Sequence, residues 1–179
     1  MEIQTEKKIK RGLSSKSHIT LMVDGPEEYF ESRKVVLLYF LEKKIKGIYI
    51  SFDNSYDNIR ESLEMESINS KNLLFIDATG ASSEGKKEEC VHIDDPNALT
   101  NLSVQLSHYL SKEKREFVLI DSLTTLLQYN DEPTCSRFLS YITMKLREKG
   151  AEAIIIGYEK ETPPELNHHL NKISQKIRV

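Results

Sequence analysis

Cysteine is scarce in this chain: only two occur in 179 residues, Cys90 and Cys135. They form neither a metal-ligand spacing nor a disulfide framework. The simplest home for two reduced thiols is the cytoplasm. Long apolar runs are missing too, and none approaches the roughly 20 residues of a membrane span. The N-terminal stretch MEIQTEKKIKRGLSSKS is charged and lacks the apolar core of a secretory signal. Nor is there an excess of one charge. The net charge of −3 and pI of about 6.0 do not advertise nucleic-acid binding by the molecule as a whole. What remains is 39% hydrophobic and 30% charged, the balance of a soluble globular protein. Its length suits one well-packed domain and is short for two.

Residues 1–17 carry Lys7, Lys8, Lys10, Arg11 and Lys16 with few apolar anchors, and read as a solvated arm or edge segment rather than a specific nucleic-acid contact. The domain proper then spans 18–179. Short apolar runs at Ile19–Val23, Ile48–Phe52, Leu73–Ala78, Phe117–Asp121 and Ala153–Tyr158 read as buried strands, with a last short strand at Lys176–Val179. Between them, apolar residues recur at helical spacing over about 30–44, 56–64, 97–112, 133–150 and 163–174. Gly47 is expected to close the first of these helices and Gly150 the fourth. Residues 79–96 are rich in Gly, Ser and charge and read mostly as loop. Continuous apolar strands alternating with amphipathic helices predict a three-layer α/β/α domain with a mostly parallel sheet and no internal repeat.

The stretch ITLMVDGPEEYFES, Ile19–Ser32, organises this reading. A strand running through a turn into a helix is where a phosphate-binding loop sits, and that loop has the pattern Gly, four residues, Gly-Lys, then Ser or Thr. Laid from Gly25 to Ser32, the pattern meets Phe30 in place of the second Gly and Glu31 in place of the Lys. The missing Gly removes the close backbone approach to phosphate, and the missing Lys removes the cation. Asp24, Glu27 and Glu28 add carboxylates beside Glu31. At a separation of about 4 Å two like charges cost about 1 to 4 kcal/mol at surface dielectrics, so a triphosphate meets net repulsion. The same acids are favourable at a helix start without any ligand.

In their order, these segments resemble the RecA/KaiC-like branch of P-loop ATPases. FVLIDSLTTLL resembles the Walker B segment, with Asp121 at the strand end. GIYISFDNSYDNIRESL resembles the segment whose paired acids activate water in active relatives, and AEAIIIGYEKE the sensor strand. LNHHLNKISQKIRV resembles the final helix and strand. The resemblance covers about residues 18–179 through colinearity, since no single motif is intact. It implies a vestigial nucleotide site of Gly25, Ser32 and Asp121, with Phe30, Glu31, Asp53 and Asn54 at replaced positions. Ser32 and Asp121 are the pair that would hold Mg²⁺. Asn54 stands where a second carboxylate belongs, and an amide cannot accept a proton from water. Phosphoryl transfer rests on positioning and charge, so no catalytic residue, metal or cofactor is assigned.

Other residues read more plainly. His168 and His169 point about 100° apart on a helix and suit a surface better than a shared metal. Asp94-Asp95-Pro96 resembles a turn. Ser122, Thr124 and Thr125 lie at a strand's carboxyl end, where they would contact a ligand or form a turn. Tyr29 and Phe30 would plug the vacated pocket or present an apolar patch. The function expected is a pseudo-ATPase acting as a regulatory or scaffolding subunit. By resemblance it would assemble with itself or with an active paralogue, in an archaeal setting. The alternatives are a nucleotide sensor without hydrolysis and a DNA-repair accessory protein.

Overall fold

The computed structural model describes residues 2–15, 17–81 and 88–179, with side chains from Gln4 onward. Lys16 and the Ser82–Lys87 part of the expected loop lie outside the described residues. Seven parallel strands form one sheet: β1 (Ile19–Val23), β2 (Gly47–Ser51), β3 (Leu73–Asp77), β4 (Cys90–His92), β5 (Phe117–Asp121), β6 (Glu152–Tyr158) and β7 (Gln175–Arg178). Their order is β4-β3-β2-β5-β6-β1-β7. In register, β5 carries Asp121 opposite Ser51 of β2 and Ile156 of β6. The acidic end of β5 therefore lies in the middle of the carboxyl edge.

Side chains alternate across the pleat, so every strand feeds two cores. One face packs beneath α1 (Glu2–Ser14), α2 (Pro26–Leu41) and α3 (Tyr56–Met65). There Ile9, Val36, Phe40 and Ile59 meet Tyr49, Phe117 and Ile154. The other face packs beneath α4 (Leu99–Lys112), α5 (Leu123–Tyr129), α6 (Glu132–Lys149) and α7 (Pro164–Ile173). Leu106, Leu139 and Leu166 there cover Ile50, Ile120 and Ile155. The three-layer α/β/α architecture expected from the strand pattern is present, with all strand pairs parallel.

The N-terminal arm is the main correction. Glu2–Ser14 is a helix, with Ile9 and Leu13 fully covered at 0% and 1% exposure. These two residues stand four apart and fall on one helical face. Gly12 lies on the same side, where a Cβ would come within 2.2 Å of Ile177 Cδ1. Few apolar anchors suffice because the partner surface supplies the rest. Lys7, Lys8, Lys10 and Arg11 remain exposed.

Three smaller differences concern local chemistry. Gly47 does not end α2; it opens β2, where a Cβ would strike the Phe117 ring at 2.3 Å. The turn after α2 is made instead by Lys44 at φ 59. The expected 79–96 loop contains the edge strand β4, too short to show a period. Leu123–Tyr129 forms a helix of its own, capped by Ser122, whose Oγ accepts the Thr125 N–H at 3.3 Å. Gly150 does end α6, with φ 67.

Candidate functional site

The helix α2 starts at Pro26, four residues earlier than its apolar spacing suggests. Proline suits the first helical position because its fixed φ is helical and its missing N–H is not needed there. Gly25 is the N-cap, with extended φ −158 and ψ 179, a conformation any residue adopts. The Tyr29 N–H donates to the Gly25 carbonyl at 3.1 Å. Seven of the eight positions that would form a phosphate loop, Pro26–Ser32, are thus helix. The amides of Tyr29–Ser32 are spent on helical hydrogen bonds, while those of Glu27 and Glu28 lie in the first turn without a helical partner. Loop geometry is absent along with loop chemistry. Glu27 and Glu28 fill the first turn, where their charge suits the helix dipole.

The acidic end of β5 is closed by two tyrosines. Asp121 is 3% exposed. The Tyr29 hydroxyl donates to its Oδ1 at 2.5 Å, and the Tyr49 hydroxyl donates to its Oδ2. The Tyr29 ring stacks on Tyr158 at 5.9 Å between centroids and meets the Phe30 ring edge-on at 5.2 Å. Of the two aromatic residues at the turn, Tyr29 is the plug, at 6% exposure, and Phe30 faces out at 53%. Burial pushes the Asp121 carboxyl above its ordinary value, while the Tyr29 and Tyr49 hydroxyls and the Arg33 charge pull the other way. Burial, together with Asp121, also raises both tyrosines, so their hydroxyls stay protonated as donors.

The remaining residues of the implied nucleotide site are dispersed in role. Ser32 is 0% exposed, and its Oγ has no hydrogen-bond partner among the described residues. Glu31 is half-buried beside Phe30. Asp53 is exposed and accepts the Asn54 side-chain N–H at 3.0 Å. The Asn54 backbone turns back on Ser51, whose Oγ donates to the Asn54 carbonyl at 2.6 Å.

Strand-end polar groups elsewhere do structural work. Thr124 Oγ1 accepts the Tyr158 N–H at 3.1 Å. Asp95 Oδ1 accepts the Asn97 N–H at 2.8 Å, the turn expected there. His169 Nε2 pairs with Ser140 Oγ at 2.7 Å between α6 and α7. Among the described residues no group of three His, Cys, Asp or Glu side chains is placed to hold a metal, and no helix is long and apolar enough to cross a membrane.

Four residues of this region escape a reading by motif. Tyr49 sits in an otherwise aliphatic strand and Tyr158 ends another, so both read as core. Arg33 is 3% exposed and donates to Ser62 Oγ at 2.9 Å and Glu66 Oε1 at 2.7 Å, tying α2 to α3. Asp77, at the end of β3, is 3% exposed and accepts the Tyr56 N–H at 2.8 Å, which starts α3. The one signal available was position: an acid as the last residue of an apolar strand marks both Asp77 and Asp121.

A parallel sheet between two helical layers, with a strand–turn–helix after β1 and an acid ending the central strand, is an arrangement that P-loop ATPases share. Residues 38–175 match the family model of the KaiC ATPase, and the chain belongs to that family. No curated protein sequence matches it. Among solved structures it is similar to the flagellar accessory protein FlaH from Methanocaldococcus jannaschii, at TM-score 0.64 and 11% identity. That alignment covers 91% of this chain and 70% of the other. It is also similar to the KaiC-like protein PH0186 from the hyperthermophilic archaeon Pyrococcus horikoshii OT3, at TM-score 0.57 and 11% identity, covering 86% and 67% of the two chains. At that identity the likeness speaks for the fold alone.

Proposed function

We propose that this chain is a catalytically inactive KaiC-like protein, kept for its shape and used as a regulatory or scaffolding subunit through protein–protein association. The observation that carries this reading is the Tyr29–Asp121–Tyr49 closure. A carboxylate whose two oxygens both accept tyrosine hydroxyls, at 3% exposure, offers nothing to a magnesium ion until the plug is withdrawn. Charge supports the same conclusion, since Glu31 replaces the cation that phosphoryl transfer depends on. Association finds support in Phe30, an aromatic side chain 53% exposed beside a groove of about 690 Å³ between α1 and the start of α2. Partners of the same architecture, another copy or an active paralogue, suit a chain that retains the family fold.

The test is turnover. Purified protein with Mg-ATP is expected to release phosphate at the rate of a buffer blank, and Asp121→Asn to leave that rate unchanged. Robust hydrolysis that Asp121→Asn abolishes would overturn the reading.

A further inference from the structure

The groove between α1 and the start of α2 joins an exposed aromatic ring to carboxylates that lack cations. One wall comes from α1, and the other from the turn after β1 and the opening turns of α2. On α2, Glu27, Phe30, Glu31 and Lys34 stand three or four residues apart and share one helical face. Phe30 is 53% exposed, and the buried Arg33 guanidinium lies over its ring, 5.5 Å from the centroid. The ring therefore already holds one cation from the protein side and leaves the rest of its surface to solvent.

Asp24, Glu27, Glu28 and Glu31 line the groove against two lysines, Lys8 and Lys34. None of these four carboxylates has a hydrogen bond or ion pair among the described residues. Elsewhere on the surface Glu64, Glu113 and Glu148 each hold an arginine or a lysine. The helix dipole accounts for Glu27 and Glu28, but not for Glu31, which lies beyond the first turn. Glu31 also stands four residues from Glu27 and three from Glu28, spacings at which like charges repel. The carboxylates do not converge on a point: among the described residues no three are placed to hold a metal ion. An extended chain of several cations complements such a face better than one small ion does.

We propose that this groove docks an arginine-rich segment of a partner protein, a proposal that rests on the association reading above and names the chemistry of the partner. One guanidinium stacks on the exposed part of the Phe30 ring. Its neighbours in the segment pair with Glu27 and Glu31, whose carboxylates match the planar guanidinium fork. The same carboxylates repel nucleic acid and other polyanions.

The test uses three blocked, fluorescein-labelled heptapeptides that alternate glycine with arginine, lysine or glutamate, titrated into the full chain by fluorescence anisotropy. The arginine peptide is expected to bind saturably and to shift the Phe30 and Glu31 amide signals in proton–nitrogen spectra. The lysine peptide should bind about twofold or more weaker, and the glutamate peptide not at all. Phe30→Ala should weaken the arginine peptide by about threefold or more, and the double variant Glu27→Gln, Glu31→Gln by about fivefold or more. Both variants change surface side chains, and their urea midpoints are expected to match wild type. No saturable binding of the arginine peptide overturns the proposal. So does binding that neither variant weakens, which would be diffuse attraction to net charge. A dimer seen by sedimentation and lost in Phe30→Ala, with the arginine peptide unbound, would give the face to a second copy. That result overturns the arginine-rich partner and leaves the association reading standing. ATP hydrolysis abolished by Asp121→Asn would instead overturn the inactive-subunit reading, whatever the peptides do.

Discussion

Asp121 would be an exposed metal ligand in a working ATPase site; here both of its oxygens are occupied by tyrosine hydroxyls from β2 and α2. Its carboxyl titrates above the ordinary value chiefly because it is buried. A carboxyl raised in the folded state contributes stability that is full below its unfolded pKa. That contribution is lost as pH rises through the folded value. Asp121→Asn has no such proton to lose. Urea unfolding of both proteins at several pH values between the acid limit and neutrality should show Asp121→Asn gaining on wild type as pH rises. A gain for wild type with rising pH would contradict the burial argument. At this scale the replaced motif residues Phe30 and Glu31 were legible from the pattern alone. The tyrosine plug was legible only by half. Tyr29 stood out at the turn, but Tyr49, in the strand IYIS, has no feature that separates a donor from a core residue.

At the level of elements, α1 and the start of α2 decide what the molecule presents. α1 is a polar helix anchored by two apolar side chains, Ile9 and Leu13, each covered by the sheet and α2. Truncating a buried aliphatic side chain costs about 2 to 5 kcal/mol, whereas the same change on a solvated arm costs almost nothing. Ile9→Ala or Leu13→Ala should therefore lower the urea midpoint by a matching amount. No change for either would return residues 2–14 to the status of an arm. The central strands were readable to within a residue or two because five-residue apolar runs have few other uses. α1 was not, since charge outnumbers its apolar positions and its stability comes from a surface elsewhere in the chain. The early start of α2 was hidden by Pro26, Glu27 and Glu28, which suit a turn and a helix start equally.

Across the whole molecule, the family fold is present and residues 26–32, after the first strand, are the opening turns of a helix. The match to the KaiC ATPase begins at residue 38, past that segment. The sheet thus carries a closed acidic centre at its carboxyl edge. Fold was legible from the order of strands and helices, because burial on both faces of a parallel sheet leaves continuous apolar runs. The state of the site was not, because it depends on which of several aromatic side chains turns inward. The most direct test of the closed centre is calorimetric titration of Mg-ATP and Mg-ADP into the purified protein. The account predicts no saturable heat for either nucleotide. Saturable, magnesium-dependent binding that Asp121→Asn removes would mean that Tyr29 yields its place to the ion, and would contradict it.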